Sequence, residues 1–241
     1  MALTFSLPNF GLGGGPLGGT GGGFSVESEE IAWATVQHCL AQGVTLLDTA
    51  PLYGSGVSER RIGKVLAGVP RTNYQISTKI GVVVHADGKA ERTYRRDAVK
   101  RSIEDSLQRL GIDYIEEPIH EFFPLCAEKQ ISVLLGGVFN SGILATGATP
   151  SALYQYRPAP PAVMEKTRRI EAVCARHGVS LKAAALQFPL AHPVVRSLVV
   201  GMASPAEVDQ NLAALREPIP AAFWGELRKE ELIEQGAPTP A

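Results

Sequence analysis

Residues 44–66 read VTLLDTAPLYGSGVSERRIGKVL. The run up to Asp48 is apolar and does not alternate, which is the pattern of a short strand buried on both faces. The loop TAPLYGSG follows. Ser58 then reads as the cap of a helix that carries Ile62, Val65 and Leu66 on one face. Strand, loop and helix make one βα unit.

The same unit repeats on either side. Upstream, Ser28 caps a helix through IAWATVQHCLAQ, and Gly43 ends it. Downstream, QISTK (75–79) is the next strand. RRDAVKRSIEDSLQRLG is an amphipathic helix with Val99, Ile103, Leu107 and Leu110 on one stripe and Gly111 at its end. IDYI opens another strand, and ISVLLGGV (131–138) reads as a buried one. A helix over 162–177 closes at Gly178, and another starts at Ser180. VRSLVVG (195–201) is the last strand. Ser204, Pro205 and Glu207 then form a capping box before a stripe of Val208, Leu212 and Leu215. The closing APTPA is expected to fray. Alternating units with buried strands predict an α/β fold with a parallel sheet, either doubly wound or closed as a barrel. In both, ligands bind at the C-terminal ends of the strands.

The 241 residues form one domain in this reading, and 45% apolar residues supply its core. A net charge of −1 points to neither a nucleic-acid nor a membrane partner. Cys39, Cys126 and Cys174 are scattered without metal-ligand spacing, so no metal site is expected and each reads as a buried thiol. No apolar run has the length of a membrane span, and residues 1–30 lack a charged start followed by an apolar core. The expected compartment is the cytosol.

Residues 10–24, FGLGGGPLGGTGGGF, raise a separate question. Gly13, Gly15 and Gly18 fit G-x-G-x-x-G, the dinucleotide fingerprint. That motif needs a strand before it, a helix inside it and an acid about 20 positions on. Here Pro8 breaks the preceding stretch, Pro16 sits inside the motif, and the later position is near His38. A loop is the better reading.

The strand ends carry chemistry. Asp48 ends one strand, Tyr53 lies in the loop after it, and Lys79 ends the next. A phenol is a weak acid at neutral pH. A neighbouring ammonium favours its phenolate, and a carboxylate holds the ammonium in place. The trio is a tuned proton donor for a carbonyl or acceptor from an alcohol.

LLDTAPLYGSGVSERRIGKVL, ISTKIG, RRDAVKRSIEDSLQRLGIDYI, ISVLLGGVFNSGIL and LQFPLAHPVVRSLVVGMASPAEVDQN together resemble the aldo-keto reductases. The likeness is to their sugar-oxidising branch, that of L-fucose, D-threo-aldose and L-galactose dehydrogenases, with pyridoxal dehydrogenase nearby. The resemblance implies a (β/α)8 barrel that binds NAD or NADP without a Rossmann fold. It also implies hydride transfer between nicotinamide and an aldose, aldehyde or alcohol. Tyr53 matches the acid/base, Lys79 the lysine that tunes it, and Asp48 the lysine's partner. Gly136, Gly137, Phe139, Asn140, Ser141 and Gly142 match the loop that lies along the pyrophosphate. Gly201, Met202, Ser204, Gln210 and Asn211 match the segment that holds the adenosine end. Glu207 stands where NADP-preferring relatives tend to have arginine, which leans the cofactor towards NAD. The opening glycines fall on the first strand and loop of the barrel, at the rim of the site.

One expected residue is missing. The family's fourth catalytic member is a histidine in a pattern like DYIDVVFVHD, and this chain reads DYIEEPIHEFF. His120 is one position early, which turns a strand side chain to the opposite face. Pro118 does not suit a central strand. Ile119, Phe122, Phe123 and Cys126 have helical spacing. The simplest account is an internal gap near Ile115/Glu116, which divides the domain into an N-terminal part, 1–115, and a C-terminal part, 116–241. A barrel unit is about 30 residues, so the loss is about 60 to 90 and roughly six strands remain. Such a barrel must close differently, leave parallel edges exposed, or borrow strands from a second copy.

Overall fold

Two parallel ladders place the first candidate residues. In the computed structural model, β1 (Phe10–Gly13) pairs with β2 (Leu46–Asp48), with Gly13 opposite Asp48. β2 pairs with β3 (Gln75–Ser77), with Asp48 opposite Ser77. Every residue of β1 and β2 is buried, and for β2 the unalternating run up to Asp48 predicts it. The structure describes residues 8–19, 26, 28–79, 82–85, 88–92, 96–112 and 133–240. It divides into two compact units: Met1–His120 with Val199–Val208, and Glu121–Leu198 with Asp209–Ala241.

In the first unit the strand beside β1 is the end of β9 (Val195–Gly201). The strands meet closely there, since a Cβ on Gly13 would stand 3.1 Å from Gly201 N. The helices are α1 (Glu29–Ala41), α2 (Val57–Leu66) and α3 (Arg96–Leu110). Ser28 caps α1, accepting from Ile31 N at 3.3 Å. Gly43 and Gly111 take the left-handed conformation just past the ends of α1 and α3, with φ of 80° and 68°. Ser58 departs from its expected role. Gly56, at φ 85°, is the N-cap of α2, and the buried Ser58 hydroxyl donates instead to Gly14 O at 2.8 Å. A tertiary acceptor has taken the capping hydroxyl. A hairpin of β4 (Val82–Val84) and β5 (Ala90–Arg92) was not anticipated, and Ser102 Oγ ties it to α3 by donating to Val82 O.

The second unit holds β6 (Val133–Gly136), α4 (Ile143–Thr146), a hairpin of β7 (Leu153–Tyr154) and β8 (Arg157–Pro158), α5 (Pro161–His177) and α6 (Leu181–Leu190). It also holds the first half of β9, which neighbours β6, most of α7 (Pro205–Arg216), and α8 (Ala221–Lys229). The predicted Gly178 stop and Ser180 cap are both present. Its core packs Val173 and Cys174 of α5 against Phe223, Trp224 and Leu227 of α8. Burial pushes the Cys39 thiol up to about 12 and that of Cys174 to about 11.

The strand expected at IDYI, apart from Ile112, lies outside the described residues. So do His120 and the stripe of Ile119, Phe122, Phe123 and Cys126. Among the described residues no helix is long and apolar enough to cross a membrane.

Candidate active site

Asp48 and Lys79 meet. Lys79 Nζ donates to Asp48 Oδ1 at 2.5 Å and to Thr49 O at 3.1 Å. Ser77 Oγ donates to the same carboxylate oxygen at 2.5 Å. The register explains the arrangement, because Ser77 stands directly across from Asp48 and Lys79 lies two residues further along. The two side chains are only 31% and 12% exposed, so water screens the pair less than it would at the surface.

Tyr53 lies on the turn between β2 and α2. Its N–H donates to Ala50 O at 3.0 Å, and its carbonyl accepts from Ser58 N at 3.1 Å. The ring lies by the glycine run, for a Cβ on Gly15 would stand 4.0 Å from Tyr53 Cζ. Here the opening glycines find their use. A Cβ on Gly18 would come within 2.6 Å of Tyr53 C, and one on Gly54 would collide with Gly18 O. The run holds a short 3-10 turn (Pro16–Gly18) where a dinucleotide fingerprint needs a long helix. The glycines let one backbone lie against another. Buried Arg61 holds the backbone at Leu17 and at Val26, with Nη1 donating to Leu17 O at 2.8 Å and to Val26 O at 2.7 Å.

A further polar layer escaped the sequence reading. Fully buried Glu59 accepts from Thr78 Oγ1 at 2.7 Å and from Arg109 Nε at 2.6 Å. Ser58 Oγ shares a 2.9 Å hydrogen bond with Thr49 Oγ1. The one available signal was the position of Thr49 and Thr78 beside Asp48 and Lys79 in the chain.

The residues matched to a cofactor lie in both units. In the second, Gly136 ends β6, and Gly137, Asn140, Ser141 and Gly142 all have positive φ, of 73°, 47°, 62° and 96°. Phe139 O accepts from Gly142 N at 3.0 Å, closing the turn. Ser141 Oγ accepts from Tyr156 N at 2.9 Å, which ties the loop to the tip of the β7–β8 hairpin. Gln210 Oε1 accepts from Lys182 Nζ at 3.1 Å. Asn211 is 2% exposed, and its Oδ1 has no hydrogen-bond partner among the described residues. In the first unit, Gly201 ends β9 and Met202 is fully buried. Half of the predicted capping box is formed, since Ser204 Oγ accepts from Glu207 N at 3.3 Å. The Glu207 carboxylate accepts from Ala203 N at 2.8 Å.

Among solved structures, an aldo-keto reductase of Bacillus halodurans in its holo form is similar, with a TM-score of 0.72 and 22% identity over 94% of each chain. The fold is therefore of the (β/α)8-barrel class, here incomplete. The aldo/keto reductase family model matches residues 9–117 and 116–231, and the chain belongs to that family of oxidoreductases. It is 28% identical to a D-threo-aldose 1-dehydrogenase of a Pseudomonas species, over 99% of this chain and 97% of that one. It is 27% identical to a pyridoxal 4-dehydrogenase of Microbacterium luteolum, over 92% and 94%. The first of these alignments spans 327 positions, more than this chain's 241 residues, so that relative carries residues absent here. The two pieces of the family match meet at 116–117, where the sequence placed the gap.

Proposed function

We propose that the chain is an NAD-dependent oxidoreductase that moves a hydride between nicotinamide and the carbonyl of a small aldose or aldehyde, or the matching alcohol. The observation that carries this reading is the Asp48–Lys79 pair at neighbouring strand ends, beside the turn that bears Tyr53. Tyr53 gives its phenolic proton to the carbonyl oxygen during reduction and takes one from the alcohol during oxidation. The Lys79 ammonium favours the phenolate. Asp48 and Thr49 O hold that ammonium at two points.

The bound dinucleotide supplies or receives the hydride. By the family resemblance, the 137–142 loop of the second unit matches the part that follows the pyrophosphate; taken by themselves, Gly201, Met202 and Ser204 of the first unit match the part that holds the adenosine. Asn211 supports the fit, because its buried Oδ1 is an acceptor in want of a donor such as the amino group of adenine. Glu207 supports NAD. A helix N-terminus attracts anions, and that of α7 already has the Glu207 carboxylate on it. A 2′-phosphate brought there would be repelled.

Two experiments test this. In a thermal melt, NAD at about 100 times its Kd should stabilise the chain by roughly 2.7 kcal/mol. NADP at the same concentration should do less, and an equal or larger effect of NADP would overturn the cofactor assignment. The Tyr53→Phe variant should lose about 100-fold or more in turnover of an aldose with NAD while keeping the NAD-induced rise in the melt. A wild-type rate from that variant would remove Tyr53 from the chemistry.

The break in the family match, together with DYIEEPIHEFF in place of a strand ending in histidine, favours a second reading. In it the chain binds the dinucleotide and turns nothing over. A melt raised by NAD in a wild-type chain without activity is its signature.

A further inference from the structure

We propose that Ser58 and Glu59, consecutive residues in the first turn of α2, are positioning residues that clamp the Asp48–Lys79 pair from behind. The inference rests on the catalytic reading of Tyr53, Lys79 and Asp48. Glu59 is fully buried, and its two oxygens serve two different groups. Oε2 accepts from Arg109 Nε of α3 at 2.6 Å, which neutralises the charge. Oε1 accepts from Thr78 Oγ1 at 2.7 Å. Thr78 is the residue immediately before Lys79, so Glu59 fixes the backbone from which the ammonium reaches Asp48.

Ser58 does the same on the other side. Its one proton goes to Gly14 O at 2.8 Å, so in its 2.9 Å bond with Thr49 Oγ1 the threonine donates. Thr49 is the residue immediately after Asp48, and its carbonyl accepts from Lys79 Nζ at 3.1 Å. Adjacent residues of one helical turn thus grip the residue after the aspartate and the residue before the lysine. Stability alone does not account for this, because a buried ion pair is commonly matched or bettered by apolar side chains of similar volume. A fixed pair at two strand ends is what catalysis needs, since small misplacements of a reacting group are expensive. Ser58 and Glu59 both act on the pair through the threonines.

Thr78→Val tests the clamp, because it keeps the shape of the side chain and the Glu59–Arg109 pair and removes only the bond to Glu59. Tyr53 is followed by ultraviolet titration of tyrosinate, as the difference between each variant and the same variant carrying Tyr53→Phe. Lys79→Met comes first, as calibration. If it leaves the Tyr53 titration where it was, Lys79 does not tune the phenol, and the catalytic reading falls with the clamp. If it raises the titration, Thr78→Val should raise it too, by about one pH unit, and Thr78→Ser should restore it. In an active chain, kcat should fall about tenfold with the KM for the aldose unchanged. A folded Thr78→Val protein whose Tyr53 titrates as in the wild type overturns the proposal. Should that variant not fold, Thr49→Val cuts the other arm and is read the same way.

Discussion

Replacing Gly54 with alanine should lower the melting midpoint by roughly 10 °C, the largest loss expected from any single added methyl group. Two effects add. Gly54 sits at φ 65°, a left-handed conformation that costs an L-residue about 1–2 kcal/mol. The new Cβ would also collide with Gly18 O, and forced overpacking of this kind costs about 1–3 kcal/mol. Gly43→Ala is the control. Gly43 has φ 80° but nothing within 4 Å of its missing Cβ, so only the conformational cost applies. A circular-dichroism melt of both variants separates the effects. If the two melt alike, the Gly18–Gly54 approach does not constrain the backbone. Tyr53 is the neighbour of Gly54, so the alanine variant should also lose activity out of proportion to its stability.

Phe223→Ala should destabilise the second unit by about 3–5 kcal/mol, the usual range for emptying a buried aromatic site. Phe223 is fully buried on α8. Its ring meets Trp224 edge-on at 4.8 Å and His177 edge-on at 5.8 Å, so the truncation removes both contacts along with the buried area. Urea unfolding followed by tryptophan fluorescence reads the loss directly. A cost below about 1 kcal/mol would mean that the α5–α8 packing is not the core of that unit.

The parts of the fold legible in the sequence were those with local causes. Ser28, Ser180 and Gly178 mark helix ends because a cap needs only its own neighbours, and all three are where they were expected. β9 runs over the predicted 195–201 because it is a long apolar stretch between turn signals. Ser58 misled because a capping serine and a serine bonded to Gly14 O, 44 residues away, look identical in one dimension. The β7–β8 hairpin was missed for a different reason. Its turn residues, Gln155 and Tyr156, adopt φ of 50° and 61° without the glycine or asparagine that usually announces such a turn.

The candidate site divides along the same line. That Asp48 and Lys79 would meet followed from two strand ends and the rule that parallel α/β sheets bind at their C-terminal edge. Glu59 and Arg109 did not stand out, because a charged residue in an amphipathic helix ordinarily faces water. Only the packing of α2 against α3 turns the two inward and makes them partners. The glycine run likewise reads as a loop until Gly54 is seen lying against Gly18.

The two described cysteines have a consequence for the chemistry of carbonyl compounds. Burial holds Cys39 up to about 12 and Cys174 up to about 11, far above neutral pH. Each therefore stays a protonated, enclosed sulfur. Aldehydes are electrophiles, and the thiolate is the soft nucleophile that captures them as hemithioacetals. Neither of these side chains presents one, so an aldehyde in contact with this surface is not drawn into a side reaction at either sulfur.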